Sequence, residues 1–159
     1  MTDTFPLSAA RSAPDLEAAR ELFIEYTESL GVDLRFQNVD AELADLPGKY
    51  AEPDGIIVLA HGPFGEAVGC AALRPLDEPG CCEIKRLYVR PQARGAALGR
   101  RLALAVIAHA RRRGYERMLL DTLPGMNAAQ GLYRDLGFGA IEPYYDNPIR
   151  DTVFLELRL

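Results

Sequence analysis

The sequence is poor in the residues that build metal centres and disulfide frameworks. Its 159 residues include two histidines and three cysteines, which are Cys70, Cys81 and Cys82. The cysteines are odd in number and two are adjacent. Neither a CxxC pair nor a cysteine–histidine spacing accompanies them, which argues against a disulfide framework and against structural zinc. We therefore expect three small buried apolar side chains and no metal.

The sequence also lacks a long apolar run. No stretch approaches the roughly 20 residues of a membrane span, and residues 1–12 do not show the charged and then apolar order of a secretory signal. We therefore expect a cytoplasmic protein with no membrane partner. Because 48% of the residues are hydrophobic and 26% are charged, the length fits a single globular domain over residues 1–159.

Acidic and basic residues are divided unequally between the two halves of the chain. Residues 1–80 carry 15 Asp or Glu and 5 Lys or Arg, a net charge of −10, whereas residues 81–159 carry 8 and 13, a net charge of +5. Such a division is typical of solvated surface without a specific target. It also suits a polyanion bound to the second half and a cation bound near the first.

A strand, a turn and a helix follow one another between residues 81 and 113. Mixed β-branched and aromatic residues predict a strand from Glu83 to Val89, Pro91 ends it, and the next helix begins near Leu98. From residue 84 to residue 115 there are nine Lys or Arg and no Asp or Glu. The free amides of a helix N-terminus therefore lie among positive side chains, and we expect an anion to bind there.

The spacing within this turn excludes two common phosphate-binding loops. A P-loop needs Lys followed by Ser or Thr, but Gly99 is followed by two arginines. The dinucleotide fingerprint needs GxGxxG and an acidic residue about 20 residues later, and the sequence RGAALG at 94–99 is one glycine short. The pattern that remains is Gln92-x-x-Gly95-x-Ala97, directly after a strand.

The rest of the chain predicts a mixed order of helices and strands. Apolar residues at helical spacing predict a helix that opens at Pro14 and stops at Gly31. A strand over 117–122 that follows a helix should run parallel to the strand at 83–89. Asn127 is expected to cap a helix over 128–136, with Gln130 reaching back. The other predicted elements are a strand at 5–9, a weaker helix at 39–46, a hairpin of strands at 56–60 and 67–73, and final strands at 138–141 and 152–157.

A second motif follows about 30 residues after the first. Asn127 precedes a helix that carries Leu132-Tyr133-x-x-Leu136-Gly137-Phe138. In this order the two motifs resemble those of the GNAT family of N-acetyltransferases, over residues 83–138. The resemblance implies an α/β fold with a mixed, mostly antiparallel central sheet, one parallel pair of splayed strands and flanking helices. It also implies acetyl-coenzyme A as co-substrate.

The resemblance assigns binding roles to the two motifs. The strand residues would hold the pantetheine and acetyl groups, the loop residues would cradle the pyrophosphate, and two residues of the second motif would flank the pantetheine arm. One departure is Ala97, where glycine is frequent in the family. In the same order, the residues are Leu87, Tyr88 and Val89; Gln92, Arg94, Gly95, Ala96, Ala97, Leu98, Gly99 and Arg100; Asn127 and Tyr133.

The resemblance also names candidates for the chemistry. Glu83 lies where some family members carry a glutamate base, acting directly or through water; the alternative is a surface carboxylate paired with a cation. Tyr133 matches the family's usual general acid for the departing thiolate. A backbone amide of Leu87 or Val89 would stabilise the oxyanion.

The acceptor implied by the resemblance is a primary amine of a small molecule or a peptide. Residues 23–37 and 143–150 would determine its identity. A homodimer is common for such domains. Two other functions remain open: a non-catalytic acetyl-coenzyme A-binding regulatory module, and a nucleic-acid-binding domain that uses the arginines at 111–113, which the net charge of −5 disfavours. For the two helical residues, Phe23 and Tyr26, core packing is the favoured alternative to a role in the acceptor pocket. Candidate walls of the acceptor pocket are Phe23, Tyr26, Phe36, Tyr144 and Tyr145.

Overall fold

The computed structural model describes residues 5–34 and 37–159, which form a seven-stranded sheet flanked by helices. The strand order is β1-β2-β3-β4-β5-β7-β6. Neighbouring strands are antiparallel except β4 and β5, which are parallel. The expected mixed, mostly antiparallel sheet is therefore confirmed. The strands are β1 Leu7–Ala9, β2 Ile56–His61, β3 Ala67–Pro75, β4 Cys81–Val89, β5 Arg117–Thr122, β6 Gly139–Ala140 and β7 Val153–Arg158.

The helices begin and end at residues that the sequence makes conspicuous. The first starts at a capping box, in which the Ser12 hydroxyl accepts from the Asp15 N–H and the Asp15 carboxylate accepts from the Ser12 N–H. The third ends at Gly114, whose φ is +89°. None of the helices in the described part of the chain has the length and apolar character needed to cross a bilayer. The helices are α1 Ala13–Ser29, α2 Val39–Ala44, α3 Leu98–Arg113 and α4 Asn127–Asp135, with short 3-10 turns at Gly48–Tyr50 and Pro91–Ala93.

Each face of the sheet carries its own hydrophobic core. On one face α3 buries Leu102 and Val106 against the sheet. On the other face α1 buries Leu22 and Phe23, and the Phe23 ring packs edge-on against Tyr50 at a centroid distance of 5.9 Å. All three cysteines are buried and free, as the sequence predicts.

The parallel strands β4 and β5 separate after a short paired segment. Their register covers only Cys81 with Arg117, Cys82 with Met118 and Glu83 with Leu119. Both strands continue, to Val89 and to Thr122. A wedge-shaped gap therefore opens through the sheet, and the predicted splay is confirmed.

A β-bulge in β4 changes which side chains face α1 and α2. Cys70 of β3 pairs with Tyr88 and Ala72 pairs with Lys85, so the single residue between them opposes two residues of β4. One of these is Arg86, whose φ is +61°. The bulge resets the alternation of the strand. As a result, the consecutive side chains of Lys85 and Arg86 both lie on the α1 and α2 side.

The predicted cap of α4 is wrong. Met126 occupies the N-cap position, Asn127 is the first helical residue, and no side chain caps the helix. The Gln130 amide donates to the Leu123 carbonyl at 3.0 Å instead of reaching back to Asn127. The tight turn at Gly125, with φ of +87°, brings that carbonyl within reach.

Candidate active site

Three connected cavities follow the gap between β4 and β5. An outer cavity of about 640 Å³ lies over the start of α3. A middle cavity of about 370 Å³ runs between β4 and the start of α4, and a gap cavity of about 40 Å³ lies between the two strands. The outer and middle cavities share Val89, Arg94 and Asn127, and the middle and gap cavities share Tyr26 and Leu87. The three cavities therefore adjoin one another along the gap, and we call them together the cleft.

The outer cavity is built from the loop that enters α3. Ala97 is the N-cap of α3, its φ is +53°, and no side chain caps the helix. The first turn of α3 contains no acidic residue. Its uncapped amides and the adjacent cations suit a phosphate group. The predicted binding residues that line this cavity are Val89, Arg94, Gly95, Ala97, Leu98, Gly99, Arg100 and Asn127.

Two residues predicted to cradle the pyrophosphate lie apart from this cavity. Gln92 and Ala96 are exposed and do not line it. Gln92 belongs to the 3-10 turn at Pro91–Ala93, whose buried residue is Ala93. Their binding roles therefore stay predictions.

The middle cavity has β4 as one wall and the start of α4 as the other. Leu87, Tyr88 and Val89 lie on the stretch of β4 beyond its pairing with β5, opposite Asn127. The Tyr88 ring lies against Tyr26 of α1, at a centroid distance of 5.8 Å. The predicted strand residues and Asn127 are thus brought together, although they are about 40 positions apart in the sequence.

Tyr133 of α4 reaches the gap cavity. It is 8% exposed, and its hydroxyl has no hydrogen-bond partner among residues 5–34 and 37–159. Burial raises the pKa of Tyr133, and the nearby Tyr26 and Asp121 raise it further. The hydroxyl therefore stays protonated at neutral pH, which is the state that a proton donor needs.

Glu83 is a buried and fully engaged carboxylate. The alternative of a surface carboxylate paired with a cation is therefore wrong about the exposure of Glu83 and right about the cation. It is 1% exposed. Arg74 donates from Nε to Oε1 at 2.7 Å, and the Tyr144 hydroxyl donates to Oε2 at 2.5 Å. Burial alone would raise the pKa of Glu83, but the charges of Lys85 and Arg74 and the Tyr144 hydrogen bond together lower it. The group is ionised at neutral pH.

The sequence analysis missed a buried polar cluster beside the gap. Arg86 forms a bidentate ion pair with Glu42 of α2, with Nε–Oε2 and Nη2–Oε1 distances of 2.9 and 3.2 Å. Gln37 Oε1 accepts from Lys85 at 3.4 Å and from Arg86 at 3.3 Å. Burial lowers the pKa of Lys85, although the charge of Glu83 opposes this effect. The two consecutive cations Lys85 and Arg86 in the middle of β4 are the signal in the sequence for this cluster.

The loop before β7 closes the end of the gap near Glu83 and Asp121. The Tyr145 hydroxyl donates to Asp121 of β5, Asn147 also donates to Asp121, and the Tyr144 and Tyr145 rings both pack edge-on against Phe154. These contacts hold residues 143–150 against the gap.

The other predicted acceptor walls have different positions. Tyr26 lines the gap, as expected for an acceptor wall. Phe23 is a core residue with no exposed surface, so its core-packing alternative is confirmed and its assignment to the pocket is wrong. Phe36 lies outside the described residues.

Comparison with known proteins finds relatives that match nearly the whole chain. A family model described as "Acetyltransferase (GNAT) family" matches residues 16–138. An uncharacterized N-acetyltransferase of Schizosaccharomyces pombe is 45% identical over 153 residues, which cover 96% of this chain and 94% of that protein.

Solved structures show the same architecture. A putative acyl-CoA N-acyltransferase from Klebsiella pneumoniae is 30% identical and superimposes with a TM-score of 0.77. The match covers 98% of this chain and 97% of that protein. A putative acetyltransferase from Salmonella typhimurium, solved with its cofactor acetyl-CoA, shares the fold at 22% identity and a TM-score of 0.72, with coverage of 98% and 94%.

Proposed function

This chain belongs to the GNAT acetyltransferase family and is an N-acetyltransferase; from that premise we propose that its acceptor is a primary amine of a small molecule or a peptide. Acetyl-coenzyme A, the acetyl donor of the family, supplies an activated acetyl thioester when bound. The observation that carries the proposal is the cleft, which leads from the uncapped start of α3 to Tyr133.

The residues along the cleft fit the parts of this co-substrate in order. The phosphates are proposed to lie on the amides of residues 94–100, where Arg94 and Arg100 add positive charge. The pantetheine arm is proposed to lie along Leu87, Tyr88 and Val89, opposite Asn127. Because this part of β4 has no strand partner on the β5 side, its backbone is available to the arm.

The proposed chemistry uses few side chains. Tyr133 holds a proton at its hydroxyl and gives it to the departing thiolate. The backbone N–H of Leu87 or Val89 donates to the oxygen on which negative charge develops. Glu83 accepts the proton of the acceptor amine. Because Glu83 is 1% exposed, we assign that transfer to an intervening water, which gives a proton to Glu83 as it takes one from the amine. Each carboxylate oxygen accepts one hydrogen bond and keeps a lone pair for this water.

The domain organisation, the location and the oligomeric state are part of the same proposal. Residues 1–159 act as one catalytic domain in the cytoplasm, alone or as a homodimer. None of the cleft residues named above needs a second copy of the chain to complete the cavities.

A panel of primary amines tests the proposal. Purified protein is incubated with acetyl-coenzyme A and each amine, and the release of free thiol is followed. We expect thiol release that depends on both the protein and the amine, together with calorimetric binding of acetyl-coenzyme A. Binding without turnover of any amine would instead support a regulatory module, and an absence of binding would remove the assignment of the cleft.

A further inference from the structure

A fourth cavity continues the cleft on the side of α2. It measures about 250 Å³, and its lining includes Gln37, Asn38, Glu42, Tyr50 and Arg74. We call it the α2 cavity. Gln37 lines both this cavity and the gap cavity. The α2 cavity therefore lies at the opposite end of the gap from the outer cavity. From the α2 end an acceptor would approach the acetyl group.

Gln37 lies between the two cavities, and its side chain is held there by weak contacts. Its carboxamide oxygen accepts from Lys85 and Arg86 at 3.4 and 3.3 Å, both longer than an ordinary N–H···O hydrogen bond. A rotation of this one side chain would join the α2 cavity to the gap. The amine of a molecule held in the α2 cavity would then reach the reaction centre.

Arg74 offers free hydrogen-bond donors in the α2 cavity. Its Nε is bound to Glu83, and this contact fixes the plane of the guanidinium. Its two terminal Nη atoms have no hydrogen-bond partner in the described part of the chain, and the side chain is 27% exposed. A guanidinium with a fixed plane and free Nη atoms is suited to a carboxylate.

The other charges around the cavity leave this preference intact. Glu42 is neutralised by its bidentate pair with Arg86, and Glu83 is held by Arg74 and Tyr144. Asp121, across the gap, accepts from Tyr145 and Asn147. Exposed Lys49 and Asp45 balance each other at the rim.

Lys85 adds a second source of free donors. Its side chain is 7% exposed, and it has one long hydrogen bond to Gln37 and lies 4.0 Å from Glu83. An ammonium group has three N–H donors. Glu42, Glu83 and Asp121 are therefore engaged, whereas Arg74 and Lys85 retain unused donors.

We infer that the α2 cavity binds the carboxylate of the acceptor on Arg74, so that the acceptor is an amino acid with a free carboxylate. This inference rests on the proposed function and names its substrate class. Arg74 Nε and Lys85 Nζ both lie within 4.0 Å of the same Glu83 oxygen. Because the distance from Arg74 to the gap is therefore short, the amine and the carboxylate are separated by only a few carbon atoms.

The size of the cavity and its local charges agree with this substrate class. Its volume is below the roughly 300–1,000 Å³ of pockets for drug-sized ligands, which fits a small metabolite and disfavours a protein surface. The acidic first half of the sequence suggests a purely cationic acceptor. That net charge belongs to the first half as a whole, whereas the α2 cavity itself presents Arg74 and the adjoining gap cavity presents Lys85.

Matched pairs of acceptors provide the test. Each pair consists of an amino acid and its carboxamide, for example alanine with alaninamide and β-alanine with β-alaninamide. Because the amine of the carboxamide loses its proton more easily, amine chemistry alone would favour the carboxamide. We expect kcat/KM to be at least about 10-fold higher for the free acid, the value of one charged hydrogen bond.

Variants at two arginines distinguish binding from structure. Arg74→Lys should remove most of the preference for the acid, mainly through a higher KM for the acid. A loss that is equal for acid and carboxamide would report only the disturbed contact with Glu83 and would contradict the inference. Arg11→Lys is the matched control, since Arg11 Nε pairs with Glu52 at 2.8 Å on the surface, and it should leave the ratio unchanged.

Calorimetry separates this inference from the proposed function. Protein saturated with coenzyme A is titrated with each acid and each carboxamide, a measurement that needs no turnover. Binding of the acid alone, weakened by Arg74→Lys, supports the inference even if no acetyl transfer occurs. Acetylation of acids, carboxamides and simple alkylamines at similar rates would overturn it and leave the proposed function intact.

Discussion

At the scale of single residues, the proposed proton donor and the proposed proton acceptor have pKa values shifted in opposite directions. Burial raises the pKa of the Tyr133 hydroxyl. The cations Lys85 and Arg74 outweigh the burial of Glu83, so its pKa falls. At neutral pH the tyrosine is protonated and the glutamate is ionised. The proposed proton donor and proton acceptor are therefore both in their working states.

The Tyr133→Phe variant tests the proton donor. The substitution keeps the ring and its edge contact with Phe138, at a centroid distance of 5.5 Å, and removes only the hydroxyl. We expect turnover to fall by about 10²-fold to 10⁴-fold, the usual value of general acid catalysis, with nearly unchanged affinity for acetyl-coenzyme A. An undiminished rate at saturating substrate would exclude Tyr133 from the mechanism.

The Glu83→Gln variant tests the buried ion pair through its pH dependence. Removing the carboxylate leaves Arg74 and Lys85 without their shared partner, so at pH 7 the free energy of unfolding should fall by about 3 kcal/mol. A carboxylate with a lowered folded-state pKa stabilises the fold above the unfolded-state value near 4.5, and this contribution disappears as the pH falls through the folded-state value.

Urea unfolding at several pH values provides the measurement. The difference between wild type and Glu83→Gln should be largest at neutral pH and should shrink below about pH 4. Glu17→Gln, on an exposed side chain, is the control and should have little effect at any pH. A difference that stays constant with pH would show that Glu83 is not the ionised partner of these cations.

At the scale of elements, the start of α3 combines a proposed binding function with backbone strain. Ala97 has a φ of +53°, a conformation that costs an L-residue roughly 1–2 kcal/mol. Glycine adopts it without that cost, although it loses about 0.5–1 kcal/mol of conformational entropy. Alanine at this position therefore lowers the stability of the loop that the phosphates would contact.

The Ala97→Gly variant should be more stable than wild type by about 0.5–1 kcal/mol. Ala96→Gly is the matched control, because Ala96 is the exposed neighbour and is not among the residues with positive φ. That control should lose stability or stay unchanged. Chemical denaturation measures both, and equal effects of the two substitutions would contradict the argument from strain.

At the scale of the whole molecule, the cleft is an opening in a sheet whose strands are otherwise continuously paired. The β4 wall is packed against α3 and the opposite wall carries α4, while β4 and β5 pair at only three positions. A ligand in the cleft would connect these two walls. Ligand binding should therefore stabilise the fold as a unit.

Thermal unfolding measures this coupling. Acetyl-coenzyme A at 100 times its Kd should add about 2.7 kcal/mol to the free energy of unfolding, which raises Tm by roughly 5–10 °C for a chain of this size. Pantetheine lacks the phosphates, so at the same concentration it should give a smaller shift in Tm. Added salt should weaken only the shift caused by coenzyme A. Equal shifts for both ligands would place the phosphates away from residues 94–100.

Comparison of sequence and structure shows where local information was sufficient. The element order was predicted, because periodicity, glycine and proline act over a few neighbouring residues, and the parallel pair β4 and β5 follows from the helix between the two strands. The places of Gly95 and Tyr133 on the cleft were implied by the resemblance to the family. The cap of α4 was wrong, since the Leu123 carbonyl competes for the Gln130 amide. The alternation of β4 was also not foreseen, because the bulge depends on its register with β3.

The sequence by itself determined the family, the order of the strands and helices along the chain, and the residues of the two motifs. Only the tertiary structure decided that Glu83 is buried and engaged, that Arg86 pairs with Glu42 across 44 positions, and that Arg74 presents free donors to a cavity. The reason is that motifs and periodicity are properties of adjacent residues. The environment of a charged side chain depends instead on which distant segments the folded sheet brings against it.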